Sequence, residues 1–151
     1  MDNEIIDYDF REMTLDDINE VIEGETKVFG DSLGYDMLYT ELKFNPYAHY
    51  FVLEIEGKIC GYIGTWIEQE HSEIINFYVL EEYRNMGFGS MMLEFVIELV
   101  KMSNVPNISL EVRDHNDKAI RLYESFGFKY SHTRKNYYSN GDDALVLILE
   151  V

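Results

Sequence analysis

The run Arg84-Asn85-Met86-Gly87-Phe88-Gly89-Ser90 joins a guanidinium, two closely spaced glycines and what reads as the first turn of a helix. A helix N-terminus presents unpaired N–H groups and a partial positive charge, so it takes anions. Glycines there let the backbone adopt positive φ or approach a phosphate closely. On spacing alone the run is either a phosphate-binding loop or a glycine-rich turn that binds nothing. It contains neither G-x-G-x-x-G nor G-x-x-x-x-G-K-S/T, which disfavours a dinucleotide fold or a P-loop. Glu111 interrupts the apolar run Ile108-Ser109-Leu110-Glu111-Val112. Alternation places it opposite Leu110 and Val112, so it is solvent-facing or functional. Tyr123 belongs to the helical stripe Ala119-Ile120-Tyr123-Phe126, where an aromatic is core packing unless chemistry needs it.

The elements that must hold these residues follow from periodicity and punctuation. Ile5–Phe10 reads as a first strand. Thr14 caps a helix carrying Ile18, Val21, Ile22 and Val28. A second helix covers Tyr35–Phe44 and stops before Pro46. Strands follow at Tyr50–Ile55, Ile59–Ile67 and Glu73–Val79, the first two joined by Glu56-Gly57-Lys58. Gly87–Ser103 reads as a largely buried helix, and Pro106 precedes a strand over Asn107–Val112. Asn116 is a good N-cap for the next helix, with Gly127 at its C′ position. Phe128–Lys135 and Ala144–Val151 close the chain. The order β-α-α-β-β-β-α-β-α-β-β predicts an α/β chain with a mixed sheet of about seven strands and four helices on both faces.

The chain has 151 residues and reads as a single domain over 1–151, with no repeat and no Pro/Gly/Ser-rich linker. Its formal net charge is 12 − 29 = −17. Such a field repels nucleic acid and anionic membranes and attracts basic partners. No stretch approaches the ~18 apolar residues of a membrane span, and the acidic start Met1-Asp2-Asn3-Glu4 does not resemble a signal peptide. A cytoplasmic protein is expected. Cys60 is the only cysteine and reads as core. His49, His71, His115 and His132 are scattered without ligand spacing, so no metal is expected.

R-x-x-G-x-G after a strand ending in Phe77-Tyr78-Val79 resembles the coenzyme A loop of the GCN-five-related N-acetyltransferases (GNAT). Leu110-Glu111-Val112-Arg113, Asn116, Leu122-Tyr123-Glu124-Ser125-Phe126-Gly127-Phe128, Asn136-Tyr137-Tyr138 and Asp142-Asp143-Ala144 follow in the order of the RimI type, the ribosomal-protein-alanine N-acetyltransferases. The resemblance spans nearly the whole chain and implies the acyl-CoA N-acyltransferase fold, with acetyl-CoA as cosubstrate. It implies main-chain contacts from Phe77, Tyr78 and Val79 to the pantetheine arm. Arg84, Asn85, Met86, Gly87, Phe88, Gly89 and Ser90 would hold the pyrophosphate, and Asn116 would bond the cofactor near its thiol. It implies Glu111 as general base and Tyr123 as acid toward the leaving thiolate. Acceptor contacts would come from the early helices, their loop and the segment near Tyr137 and Tyr138.

Those roles answer two proton problems of acetyl transfer. An α-amino group has a pKa of about 7.7–8.0 and must be neutral to attack; the departing thiolate must be protonated. The thioester is already activated, so direct attack needs no covalent enzyme intermediate. The implied acceptor is the N-terminal alanine of a small-subunit ribosomal protein, a basic partner that −17 would steer inward. In the early loop Phe29–Tyr35, Leu33 stands where the RimI type usually carries tryptophan. The readings that compete are a small-amine or lysine N-acetyltransferase, a coenzyme A-sensing module without chemistry, and a nucleotide-binding α/β domain.

Overall fold

In a computed structural model the described residues are 6–151. The elements run β1 (Asp9–Glu12), α1 (Ile18–Phe29), α2 (Tyr35–Phe44), β2 (Ala48–Ile55), β3 (Lys58–Ile67), β4 (Ser72–Val79), α3 (Phe88–Met102), β5 (Asn107–Arg113), α4 (Asp117–Ser125), β6 (Lys129–Arg134) and β7 (Ala144–Glu150). Their order is the one the sequence predicts. Seven strands form a mixed sheet in the order β1-β2-β3-β4-β5-β7-β6. β4 runs parallel to β5, whereas β1–β2, β5–β7 and β6–β7 are antiparallel. The first strand is displaced from the expected Ile5–Phe10. Ile5 lies outside the described residues, residues 6–8 carry no regular structure, and pairing begins at Asp9. The cause is β2: Phe10 pairs with Leu53, and Arg11 reaches Glu54 (2.7 Å) and Asp17 (2.8 Å).

Contacts divide the chain into two compact units. One is the chain up to Thr65 with Asn76–Met92; the other is Trp66–Ile75 with Leu93–Val151. In the first, Ile18 and Val21 of α1 and Leu38 of α2 join Tyr50, Tyr62 and Tyr78 in the core. Apolar residues at helical spacing give α1 one buried face. The three tyrosine rings pack in sequence, Tyr50 on Tyr62 at 5.9 Å and Tyr62 on Tyr78 at 5.3 Å. Gly24 makes room for them: a Cβ built there would lie 2.1 Å from the Tyr78 hydroxyl oxygen. That hydroxyl instead donates to the Val21 carbonyl at 3.3 Å.

In the second unit β5 alternates, burying Ile108, Leu110 and Val112 and leaving Asn107, Ser109, Glu111 and Arg113 on the other face. β6 pairs with β7 through an irregularity between Tyr130 and His132. α4 ends in a Schellman turn: Phe128 N–H donates to Tyr123 O (3.1 Å) and Gly127 N–H to Glu124 O (3.0 Å), with Gly127 at φ 99°. That closure fixes the last turn, which carries Tyr123.

Candidate active site

In the first unit, β4 ends at Val79 and a short 3₁₀ turn over Glu81–Tyr83 leads into the glycine run. The helix begins at Phe88, and its first closing bond is Met91 N–H to Gly87 O at 3.0 Å. The N–H groups of Phe88, Gly89 and Ser90 therefore point ahead of the helix without an intrahelical acceptor. Asn85 (φ 62°) and Gly87 (φ 86°) both adopt the left-handed region, a backbone conformation found in anion-binding turns. The Arg84 guanidinium is partly committed, since its Nε donates to Val79 O at 2.8 Å and ties the loop to the strand end. Phe88 is buried and meets Tyr8 edge-on at 5.4 Å. The loop thus has a fixed apolar underside and exposed backbone donors.

The same unit contains an acid that sequence reasoning passed over. Glu25 lies on the apolar face of α1 and is wholly buried. Its Oε1 accepts the Leu33 N–H at 3.3 Å, and its other oxygen accepts from Asn76 Nδ2. Asn76 Oδ1 in turn accepts the N–H of Phe77 at 3.0 Å. Burial pushes the Glu25 carboxyl up to about 7, against the lowering effect of Leu33 and Asn76. Burial, then the nearby Glu25 charge, raises the phenols of Tyr62 and Tyr78 as well. The sequence signal was an acid in the 18-21-22-25 stripe, a position where helical spacing predicts an apolar residue.

In the second unit Glu111 is 17% exposed at its side chain and is met from β6 and the segment beyond it. Arg134 Nε stands 3.0 Å from Glu111 Oε1. A hydrogen bond to the Glu111 carboxylate pushes the Tyr137 phenol up to about 12, burial adding to it. Arg134 also lies 5.8 Å from the Tyr137 ring centre. Next door, Arg113 stacks on Tyr138 at 3.9 Å and pairs with Asp142 at 3.0 Å. Glu73 on β4 is raised by burial and by the Glu111 charge. Tyr123 is buried, its ring T-shaped against Phe128 at 5.7 Å, and burial raises its phenol above the ordinary range. Asn116 caps α4 through a bond from Ala119 N–H at 3.3 Å. Glu111, Asn116 and Tyr123 thus share the second unit, while Phe77–Val79 and Arg84–Ser90 share the first. Sequence reasoning named Tyr137 as an acceptor-lining residue but did not foresee Arg134 on Glu111, because the contact joins strands 23 positions apart (134 − 111). Among the described residues no three or more His, Cys, Asp or Glu side chains gather as a metal site would need.

Residues 15–128 match the acetyltransferase (GNAT) family. A Bacillus subtilis protein provisionally named a ribosomal protein bS18-alanine N-acetyltransferase is 41% identical over 138 residues, covering 91% of each chain. The ribosomal protein bS18-alanine N-acetyltransferase of Escherichia coli K12 is 34% identical over 104 residues, 67% of this chain and 70% of that one. The crystal structure of the corresponding Escherichia coli enzyme superposes with a TM-score of 0.87 at 25% identity, covering 96% of this chain and 94% of that one.

Proposed function

Because the chain belongs to the acetyltransferase (GNAT) family, whose members draw their acetyl group from acetyl-CoA, we propose that it transfers that group to the α-amine of a protein N-terminus, and in particular to the N-terminal alanine of ribosomal protein bS18. The first unit supplies the donor groups. Phe77, Tyr78 and Val79 offer main-chain N–H and C=O groups to the pantetheine arm, and the Arg84–Ser90 loop offers backbone donors to the pyrophosphate. No acid occurs within Arg84–Ser90, so a polyanion is accepted there despite the overall charge of −17. Asn116 bonds the cofactor toward its thiol end.

The second unit supplies proton transfer. Glu111 accepts the proton of the incoming ammonium, directly or through water; the neutral amine attacks the thioester carbonyl, the C–S bond breaks, and Tyr123 delivers a proton to the leaving sulfur. A phenol held above its ordinary pKa stays protonated, as an acid must before the transfer. The observation that carries the reading is Glu111: an acid on the polar face of β5, little exposed, and oriented by Arg134 and Tyr137.

The test is an acetyl-CoA assay across peptides. Basic peptides beginning with alanine should be acetylated, and the same peptides blocked at the N-terminus should not. Turnover confined to N-blocked, lysine-bearing peptides or to polyamines would move the acceptor assignment to side-chain or small amines.

A further inference from the structure

Three hydrogen bonds in the first unit form one connected path. Leu33 N–H donates to Glu25, Asn76 Nδ2 donates to Glu25, and Phe77 N–H donates to Asn76 Oδ1. Leu33 sits in the loop between α1 and α2, and Phe77 sits on β4. The path has a fixed polarity. A carboxylate only accepts, so Asn76 must turn its Nδ2 toward Glu25 and therefore its Oδ1 toward Phe77. We propose that Glu25 and Asn76 are a positioning pair for acetyl transfer, setting the orientation and occupancy of the Phe77 N–H and tying it to the Leu33 loop.

The inference rests on reading Phe77–Val79 as the donor-binding strand. A main-chain N–H that serves a donor has to be aimed before the donor arrives, and it must not be left unsatisfied in the interior when the donor is absent. Asn76 does both, because its amide is locked by a wholly buried carboxylate that solvent cannot replace. The surroundings leave the pair little freedom. Tyr78 is seated over Gly24 one residue before Glu25, and the buried Tyr62 hydroxyl lies beside the carboxylate. The other oxygen of Glu25 fixes Leu33, so a change at the donor strand is felt in the loop and the reverse.

The polarity gives a specific experiment. Glu25→Gln has one acceptor oxygen for two donors, so either the Leu33 or the Phe77 end of the path is lost, whichever way the amide turns. Asn76→Asp places two carboxylates face to face. The double variant, Glu25→Gln with Asn76→Asp, restores every bond. The introduced amide accepts from Leu33 through its oxygen and donates through its nitrogen to the introduced carboxylate, whose second oxygen accepts the Phe77 N–H. Assayed at pH 8, above the point of about 7 to which burial raises Glu25, each single variant should lose about tenfold in kcat/KM. The double variant should recover to within about threefold of the parent, a coupling that independent sites do not show. Singles at full activity, or a double no better than the product of the singles, would overturn the proposal.

A second measurement needs no folded variant. In the parent protein titrated with acetyl-CoA, the Phe77 and Leu33 amide resonances should shift together. A shift at Phe77 with Leu33 unmoved overturns the coupling between loop and strand. If Phe77 itself does not respond while acetyl-CoA binds by calorimetry, the donor-strand reading fails, and the inference fails with it for a separately identifiable reason.

Discussion

Glu25→Gln should change how stability depends on pH, independently of catalysis. The Glu25 carboxyl is raised from its ordinary 4.5 to about 7, with burial as the main cause. The native protein therefore holds a proton that the unfolded chain has already released. Between those two values the unfolded state binds fewer protons, so stability falls as pH rises. The contribution is intact below about 4.5 and fully lost above about 7. At ~1.4 kcal/mol per pH unit the gap is worth ~3 kcal/mol, of which ~2 kcal/mol falls between about pH 5 and 7.5. Glutamine removes the titration but keeps the volume and part of the hydrogen bonding. Asp17 acts in the opposite sense. Burial alone would raise Asp17, yet Arg11 and Thr14 outweigh it and hold the group low. That contribution is present above the ordinary carboxylate range and lost as pH falls through the lowered value, and it is common to both proteins. The quantity to compare is thus the urea-unfolding free energy of variant minus parent, at about pH 5 and about pH 7.5. It should move in favour of the variant by ~2 kcal/mol. The same difference at both values would mean that Glu25 does not titrate in this window, and the burial argument would be wrong.

Glu111→Gln should lower kcat by about 10²–10⁴ while leaving acetyl-CoA affinity, measured by calorimetry, nearly unchanged. In the same variant the Tyr137 phenol, pushed up to about 12 first by its bond to Glu111, should titrate lower by ultraviolet absorbance; an unmoved phenol would remove Glu111 as the cause. Gly24→Ala should destabilise in thermal melts although alanine is the better helix former. The new Cβ meets Tyr78 ring and hydroxyl atoms at 2.1–2.9 Å, and overpacking of ~1–3 kcal/mol outweighs a propensity gain of ~1 kcal/mol.

Local signals carried the architecture. Asn116 caps α4 and Gly127 closes it, as their residue types demand, and the helix of the glycine run begins within one residue of the expected start. Each of these depends on neighbours a few positions away. The first strand was expected, but its bounds were displaced because its register is dictated by β2, more than forty positions on (54 − 11 = 43 for Arg11 and Glu54). The same limit hid the partners of the candidate site. Asn76 is 51 positions from Glu25, and nothing near either residue announces the other. Glu111 stood out as an acid between the apolar Leu110 and Val112, but its orientation comes from Arg134 and Tyr137, brought to it by sheet order. Residue type told which side chains were out of place; distance along the chain concealed what they were placed against.

The packed tyrosines of the first unit also bear on how the protein meets alkali. Tyr62 and Tyr78 have phenols raised by burial and by Glu25, and Tyr123 in the second unit is raised by burial. An unfolded tyrosine ionises near about pH 10. Above that point the denatured chain gains phenolate charge that the native interior refuses, so stability drains away as pH climbs. Exposed tyrosines such as Tyr8, Tyr47 and Tyr130 stand outside that interior. The interior ones act as a clock for collapse. Their absorbance change should arrive late, as one abrupt step with loss of structure, and its midpoint marks the alkaline ceiling of the fold.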